Sequence, residues 1–367
     1  MKIVVDDKIP YIREKLEAMA DKVVYRPGAA IAPDDVADAD ALVVRTRTHC
    51  DERLLSGSTV KLVATATIGY DHLDTAYLRR AGIEWTNCPG CNSGSVAQYV
   101  ECSLLLLERE KHLPLADMTI GIVGCGHVGS KVKAVAERLG MRVLVCDPPL
   151  QEAHPQPLPK GGEEKVSNST TEQKLTLSSP PFGRGWGWAS LDDIEREADV
   201  ITFHVPLTRS GRYATWHMAD DDFMHRLSRA PIIINSSRGA VVDNKALLRA
   251  LEEGRVADAV IDVWEHEPLL DTELLNRVFI GTPHIAGYSA DGKVNADNMV
   301  VDALCRHFRL PHPGRIVPPP LPDGFRYTGS PLDLYDPMTD SRRLKADPSQ
   351  FESLRNNYPL RREHFDM

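Results

Sequence analysis

TIGIVGCGHVGSKVKAVAERLGMRVLVCD, residues 119–147, is the stretch whose reading decides the fold. It opens on a short apolar run of the kind that forms a buried strand. Gly124, Gly126 and Gly129 then form GxGxxG, followed by an amphipathic stretch and a second apolar run that ends in Asp147. A strand, a glycine loop, a helix and a strand in that order make a βαβ unit and imply a parallel sheet. GxGxxG spacing alone is a weak signal; its place between a strand and a helix gives it weight. The glycines allow a tight turn and a close approach to a pyrophosphate, and the helix N-terminus offers free N–H groups. Asp147 lies at the tip of the second strand, where a carboxylate accepts the ribose hydroxyls of a dinucleotide and repels an added 2′-phosphate. Pro148, Pro149 and Leu150 follow it, with no arginine. The cofactor expected from these residues is NAD.

The same alternation runs outward in both directions. KIVVD, VVY, ALVVR and LVATAT are candidate strands upstream, with helical stretches near residues 11–20 and 71–81. Residues 93–110, SGSVAQYVECSLLLLERE, read as one long helix. Downstream come DVITFHV, PIIINSS, AVIDVW and VFIGTPH, and then a helical stretch over 289–310. The expected fold class is α/β: two doubly wound parallel-sheet domains, Rossmann-like and flavodoxin-like, plus a small C-terminal α+β unit. The first domain takes residues 1–93 and 287–309, the nucleotide-binding domain 94–286, and the terminal unit 310–367. Residues 151–190 break the rhythm: 18 of 40 are Pro, Gly, Ser or Thr, so the segment reads as a solvated insertion. Trp186 and Trp188 are expected to pack its base.

Length and composition agree with this frame. A chain of 367 residues exceeds one ordinary core. A net charge of −9 with no Lys/Arg run argues against a nucleic-acid partner. No signal-peptide core or bilayer-length apolar window is visible, so a cytoplasmic protein with no membrane partner is expected. Seven scattered cysteines fit reduced thiols. Cys88 and Cys91 form a CPGC, but no second pair has zinc spacing, and no metal is expected.

Three further strings carry chemistry: IIINSSRGAVVD with Arg238, VIDVWEHEP with Glu267 and IGTPHIAG with His284. Each closes an apolar run, and residues just past the carboxyl ends of parallel strands line the ligand crevice. A cation, a carboxylate and an imidazole there could grip a substrate carboxylate and move a proton beside it. The bland readings are a sheet-edge ion pair, a solvated turn residue and a satisfied buried histidine. Glu265 is a rival to Glu267.

DADALVVRT, TATIGYDHLD, CPGCNS, GIVGCGHVG, CDPP, NSSRGAVVDN, DVWEHEP and GTPHIAGYS together resemble the D-2-hydroxyacid dehydrogenases, over most of residues 1–310 apart from the insertion. The resemblance implies an NAD-dependent oxidoreductase acting on a small, phosphorylated 2-hydroxy acid. It implies catalytic roles for Arg238 (substrate carboxylate), His284 (C2 hydroxyl proton) and Glu267 (partner of the histidine), the glutamate chosen as the one before proline. It places Gly124, Gly126, His127, Val128, Gly129, Asp147, Val205, Ser236, Ser237, Arg238, Asp262 and Gly287 at the cofactor, and Thr46, Thr67 and Tyr288 at the substrate. Val205 stands where a hydroxyl residue is usual. Arg45 and Arg47 are candidates for the substrate phosphate. The tail string LRNNYPLRREHF resembles a dimerisation region, which implies a homodimer. The same chemistry on another acid, such as 3-phosphoglycerate, and a non-catalytic NAD-sensing protein are the alternatives.

Overall fold

The computed structural model describes residues 1–153 and 188–363. The chain divides into two compact units, residues 1–111 with 282–367, and residues 112–281. The breaks therefore fall after Lys111 and Gly281, whereas the sequence suggested residues 93 and 286. The Ser93–Lys111 helix is buried along most of its length. Its neighbours are the Ala290–Phe308 helix and the tail helices Pro331–Leu334 and Pro337–Ala346, so it stays with the first unit. Most of the expected insertion, with Trp186, lies outside the described residues.

In the first unit five parallel strands, β1 (Lys2–Asp6), β2 (Lys22–Arg26), β3 (Ala41–Val44), β4 (Leu62–Thr65) and β5 (Glu84–Thr86), run in the order β2-β1-β3-β4-β5. β1, β3 and β4 are apolar runs buried on both faces, as parallel sheets require. On one face Ile3, Val5, Val43 and Ala64 pack with Val294, Val300, Val301 and Leu304 of the Ala290–Phe308 helix. On the other, Val4, Leu42, Val44 and Val63 pack with Leu54, Leu55 and Leu78. Strand order reverses between β1 and β3, which makes their carboxyl ends the expected ligand crevice.

The tail is helical, with segments Pro331–Leu334, Pro337–Ala346 and Phe351–Asn356. Its one described extended contact is an isolated bridge between Arg361 and Ser289. The β part expected of an α+β unit is thus reduced to that bridge. Proline at residues 311, 313 and 318–320 leaves the chain too few backbone donors for a ladder. Tyr335, Leu344 and Phe351 of the tail are buried within this unit of the same chain.

Among the described residues the second unit holds six parallel strands, β6 (Thr119–Val123), β7 (Arg142–Cys146), β8 (Val200–Phe203), β9 (Ile232–Asn235), β10 (Asp258–Ile261) and β11 (Ile280–Gly281). Their order is β11-β10-β9-β8-β6-β7, and it reverses between β6 and β8. Trp188 is half-buried and forms a parallel bridge with Val145, while Ala189 N–H donates to Val145 O at 2.9 Å. Trp188 thereby extends the sheet beyond its β7 edge. Among the described residues no helix is long and apolar enough to cross a membrane.

Candidate active site

The glycine loop leaves β6 at the switch point of the second sheet. Each glycine has a separate reason. Gly124 has φ +90°, and a Cβ on it would press on His204 O of the loop after β8. At Gly129 a Cβ would collide with Gly124 O, so only glycine lets the helix start this close to the strand. Around Gly126 a Cβ would meet nothing within 4 Å, and this open space is where a pyrophosphate can approach the backbone. Cys125 N–H donates to Asp147 Oδ2 at 2.8 Å, and Leu150 N–H to Oδ1 at 3.0 Å. Asp147 is thereby fixed against the loop, and each oxygen keeps acceptor capacity for a ribose hydroxyl. Val205 borders Gly124 from the β8 side. Next to it, burial holds the His204 imidazole well below its usual range, and its Nε2 lies 3.0 Å from Thr202 Oγ1.

At the end of β9, Asn235 Oδ1 accepts from both the N–H (3.1 Å) and the hydroxyl (2.8 Å) of Ser237, and Asn235 Nδ2 donates to Arg238 O. Ser236 Oγ is buried and has no hydrogen-bond partner. A buried, unanswered hydroxyl is costly unless a ligand completes it. That orphan and the room at Gly126 are the features of this sheet that fit a bound dinucleotide. Asp262, just past β10, is buried, and its N–H donates to Asn235 O.

Arg238 is exposed, donates one N–H to Ser237 O at 2.8 Å, and has no carboxylate partner among the described residues. A Cβ on the next residue, Gly239, would collide with Trp264 O, so the Arg238 loop lies directly against the loop that carries Glu267. Glu267 Oε1 accepts Trp264 N–H at 2.9 Å. Its rival Glu265 is committed elsewhere, to His217 Nε2 (2.7 Å) and Asn244 N–H (3.0 Å).

His284 comes three residues after β11 and belongs to the first unit. It is half-buried at φ +57°, a conformation L residues disfavour and one that clusters at functional sites. Asn92 packs so closely on Gly287 that a Cβ there would collide with its amide. Thr67, after β4, bonds Thr65 Oγ1 and Gly69 O, and Thr46 is exposed after β3.

The first unit also holds a cationic group that sequence reasoning missed in part. Arg45, just past β3, donates to Lys8 O, just past β1, across the switch point (3.2 Å). Lys293 Nζ lies 4.6 Å from the Tyr288 ring centroid. Burial, Arg45 and Arg355 push its ammonium down to about 8, which is how a cation behaves among cations. One turn along, burial pushes Asp297 up to about 7, and its Oδ2 accepts Tyr11 N–H. Arg47 pairs instead with Glu352 at 3.3 Å. The signal available in the sequence was Lys293 and Asp297 at i,i+4 among the apolar positions of a helix. Burial raises the CPGC thiols, Cys91 to about 11, so neither is a resting thiolate at neutral pH.

Comparison with known proteins follows the same lines. The model for "D-isomer specific 2-hydroxyacid dehydrogenase, NAD binding domain" matches residues 106–171 and 175–286. An erythronate-4-phosphate dehydrogenase of Bacteroides fragilis (strain YCH46) is 51% identical over 367 residues, 99% of this chain and 97% of that protein. The structure of an NAD+-bound 3-phosphoglycerate dehydrogenase from Entamoeba histolytica superposes with TM-score 0.61 and 27% identity, covering 84% of this chain and 95% of that one. A D-lactate dehydrogenase from Aquifex aeolicus, complexed with NAD and lactic acid, matches in fold at TM-score 0.62 and 24% identity, over 84% and 96% of the two chains.

Proposed function

We propose, from the premise that this chain belongs to the erythronate-4-phosphate dehydrogenases of the D-isomer-specific 2-hydroxyacid dehydrogenase family, that it oxidises 4-phospho-D-erythronate to 2-oxo-3-hydroxy-4-phosphobutanoate in pyridoxal-phosphate biosynthesis. The observation that carries the reading is Arg238, a guanidinium at the carboxyl edge of the nucleotide-binding sheet with no carboxylate partner among the described residues. Its planar fork suits a C1 carboxylate. The glycine loop and Asp147 would hold NAD, which would supply the hydride acceptor for C2. His284 takes the proton of the C2 hydroxyl, and Glu267 favours the resulting imidazolium. Gly124, Gly126, His127, Val128, Gly129, Asp147, Ser236, Ser237, Asp262 and Gly287 serve the cofactor, with Val205 supplying contact but no hydroxyl. Thr46, Thr67 and Tyr288 serve the substrate, and Arg45 with Lys293 takes its far phosphate.

The test is an assay of purified protein with NAD and NADP against phosphorylated and plain 2-hydroxy acids. 4-Phosphoerythronate with NAD should give the highest kcat/KM. Equal or better use of 3-phosphoglycerate, or a preference for NADP, would overturn the reading. A cytoplasmic homodimer belongs to the same proposal. Seven free thiols support the location. The half-buried Leu332, Leu334 and Leu354 of the tail support a partner surface. Light scattering on the full chain should report a dimer.

A further inference from the structure

We propose that Arg361, in the C-terminal tail, is a positioning residue for the reaction, holding the loop that presents His284 and Tyr288 by gripping its backbone carbonyls. Arg361 is 7% exposed and has no carboxylate partner among the described residues. A buried guanidinium is tolerated only where acceptors answer its N–H groups. Here Nη1 donates to Ile285 O at 3.1 Å and to Tyr288 O at 2.8 Å, and Nη2 donates to Ala286 O at 2.7 Å. Three carbonyls from four consecutive residues converge on one cation. That geometry is specific to a planar fork, and it fixes the turn immediately after His284.

The cation is itself immobilised. Nε donates to Gln98 Oε1 at 3.0 Å and Nη2 to Ser95 Oγ at 3.2 Å, both on the Ser93–Lys111 helix. Its Cζ lies 3.8 Å from the centroid of the Tyr335 ring. The backbone of Arg361 takes part too, since Ala290 N–H donates to Arg361 O at 2.8 Å. Ser95 Oγ also reaches Ala286 O directly, at 2.8 Å. The tail thus braces a loop whose histidine sits at φ +57°, a backbone that L residues leave readily unless neighbours hold it. A shift of about 1 Å in a reacting group is enough to cost on the order of 10²-fold in rate.

The proposal rests on the reading of His284 as the proton-transfer group, so the experiment separates the two. Full-length wild type, Arg361→Lys, Arg361→Ala, Ser95→Ala and His284→Gln are compared at 15 °C, where folded variants can be assayed. Arg361→Lys should lower kcat by about 10–10²-fold, shift the pH profile of kcat, and leave NADH affinity, read by fluorescence, unchanged. Added guanidinium at sub-denaturing concentration should restore part of the turnover of Arg361→Ala and none of that of His284→Gln. Ser95→Ala, which removes two contacts, to Arg361 Nη2 and to Ala286 O, and keeps the cation, should lower kcat by less than Arg361→Lys. Turnover per folded molecule at the wild-type level in Arg361→Lys, with only the melting temperature reduced, would overturn the proposal while His284→Gln remained inactive. Normal turnover in His284→Gln would instead overturn the catalytic reading beneath it. If both arginine variants fail to fold, unchanged kcat and pH profile in Ser95→Ala overturn the proposal.

Discussion

Two loops of this molecule are shaped by opposite means. The glycine loop, residues 124–129, owes its form to side chains that are missing. Gly124 and Gly129 let backbone meet backbone, and Gly126 leaves room for a ligand. The histidine loop, residues 282–289, owes its form to side chains supplied from far along the chain. Tyr99 OH meets Thr282 Oγ1 at 2.8 Å, Ser95 reaches Ala286 O, and Arg361 reaches three carbonyls. Steric absence is local and readable as a motif. Support at sequence separations of 73–191 residues is a tertiary property. A loop held by absence should break when atoms are added, and one held by distant donors should break when they are removed.

The largest effect is expected at the histidine itself. His284→Gln keeps a polar side chain of similar reach but cannot take a proton at neutral pH. Turnover should fall by about 10²–10⁴ while NADH affinity stays near wild type. Steady-state kinetics beside a fluorescence titration measures both, and a parallel loss of NADH binding would show that the two loops are not separable in this way.

Adding atoms to the other loop comes next. Gly126→Val fills open space, so the melting temperature should hold while NAD affinity drops by roughly 10², the loss of one or two charge-assisted hydrogen bonds to pyrophosphate. Gly129→Ala forces a methyl onto Gly124 O and should destabilise the fold by about 1–3 kcal/mol. Calorimetry and nucleotide titration on both variants would blur the distinction if each lost stability and affinity together.

The buried carboxyl of Asp297 in the Ala290–Phe308 helix should show itself in stability. Burial raises Asp297 to about 7, partly opposed by Tyr11 N–H, Lys293 and Arg45. A group whose folded pKa lies above its unfolded value contributes stability below the unfolded value, near 4 for Asp, and loses it as pH rises through the folded value. Wild type should therefore weaken between about pH 4 and 7 relative to Asp297→Asn, by a few kcal/mol at most. Urea titrations at pH 5 and pH 8 give the difference, and parallel curves would refute it.

The smallest effect is at Tyr335. Its ring lies under Arg361, yet its buried hydroxyl has no partner. Tyr335→Phe keeps the ring and removes the unanswered hydroxyl, so stability should be unchanged or up to about 1 kcal/mol higher. A clear loss in thermal melts would mean that the hydroxyl has a role the present geometry does not account for.

Much of both sheets was legible because buried parallel strands are short apolar runs and their connections carry helical periodicity. Ten of the eleven strands among the described residues fall on runs that stand out by composition. β5, Glu84–Thr86, does not, because an edge strand of three residues with a charged end carries little apolar signal. Several candidate residues on the nucleotide side, among them Gly124, Gly126, Gly129, Asp147 and Asp262, carry the same local signals, since they directly follow a strand or fill a glycine position. The choice of Glu267 over Glu265 came from a family pattern, and the geometry adds that Glu265 is occupied by His217 and Asn244.

The sequence by itself determined the parallel sheets, the nucleotide loop and the chemistry-bearing strand ends, because strand periodicity, glycine conformational freedom and strand-end placement act over a few residues. Tertiary structure alone decided that Lys293 joins Arg45 in a cationic group and that the tail returns Arg361 to the histidine loop. Those outcomes depend on which distant side chains answer a buried charge or an unpaired carbonyl. Such pairing is a consequence of packing that local residue patterns do not encode.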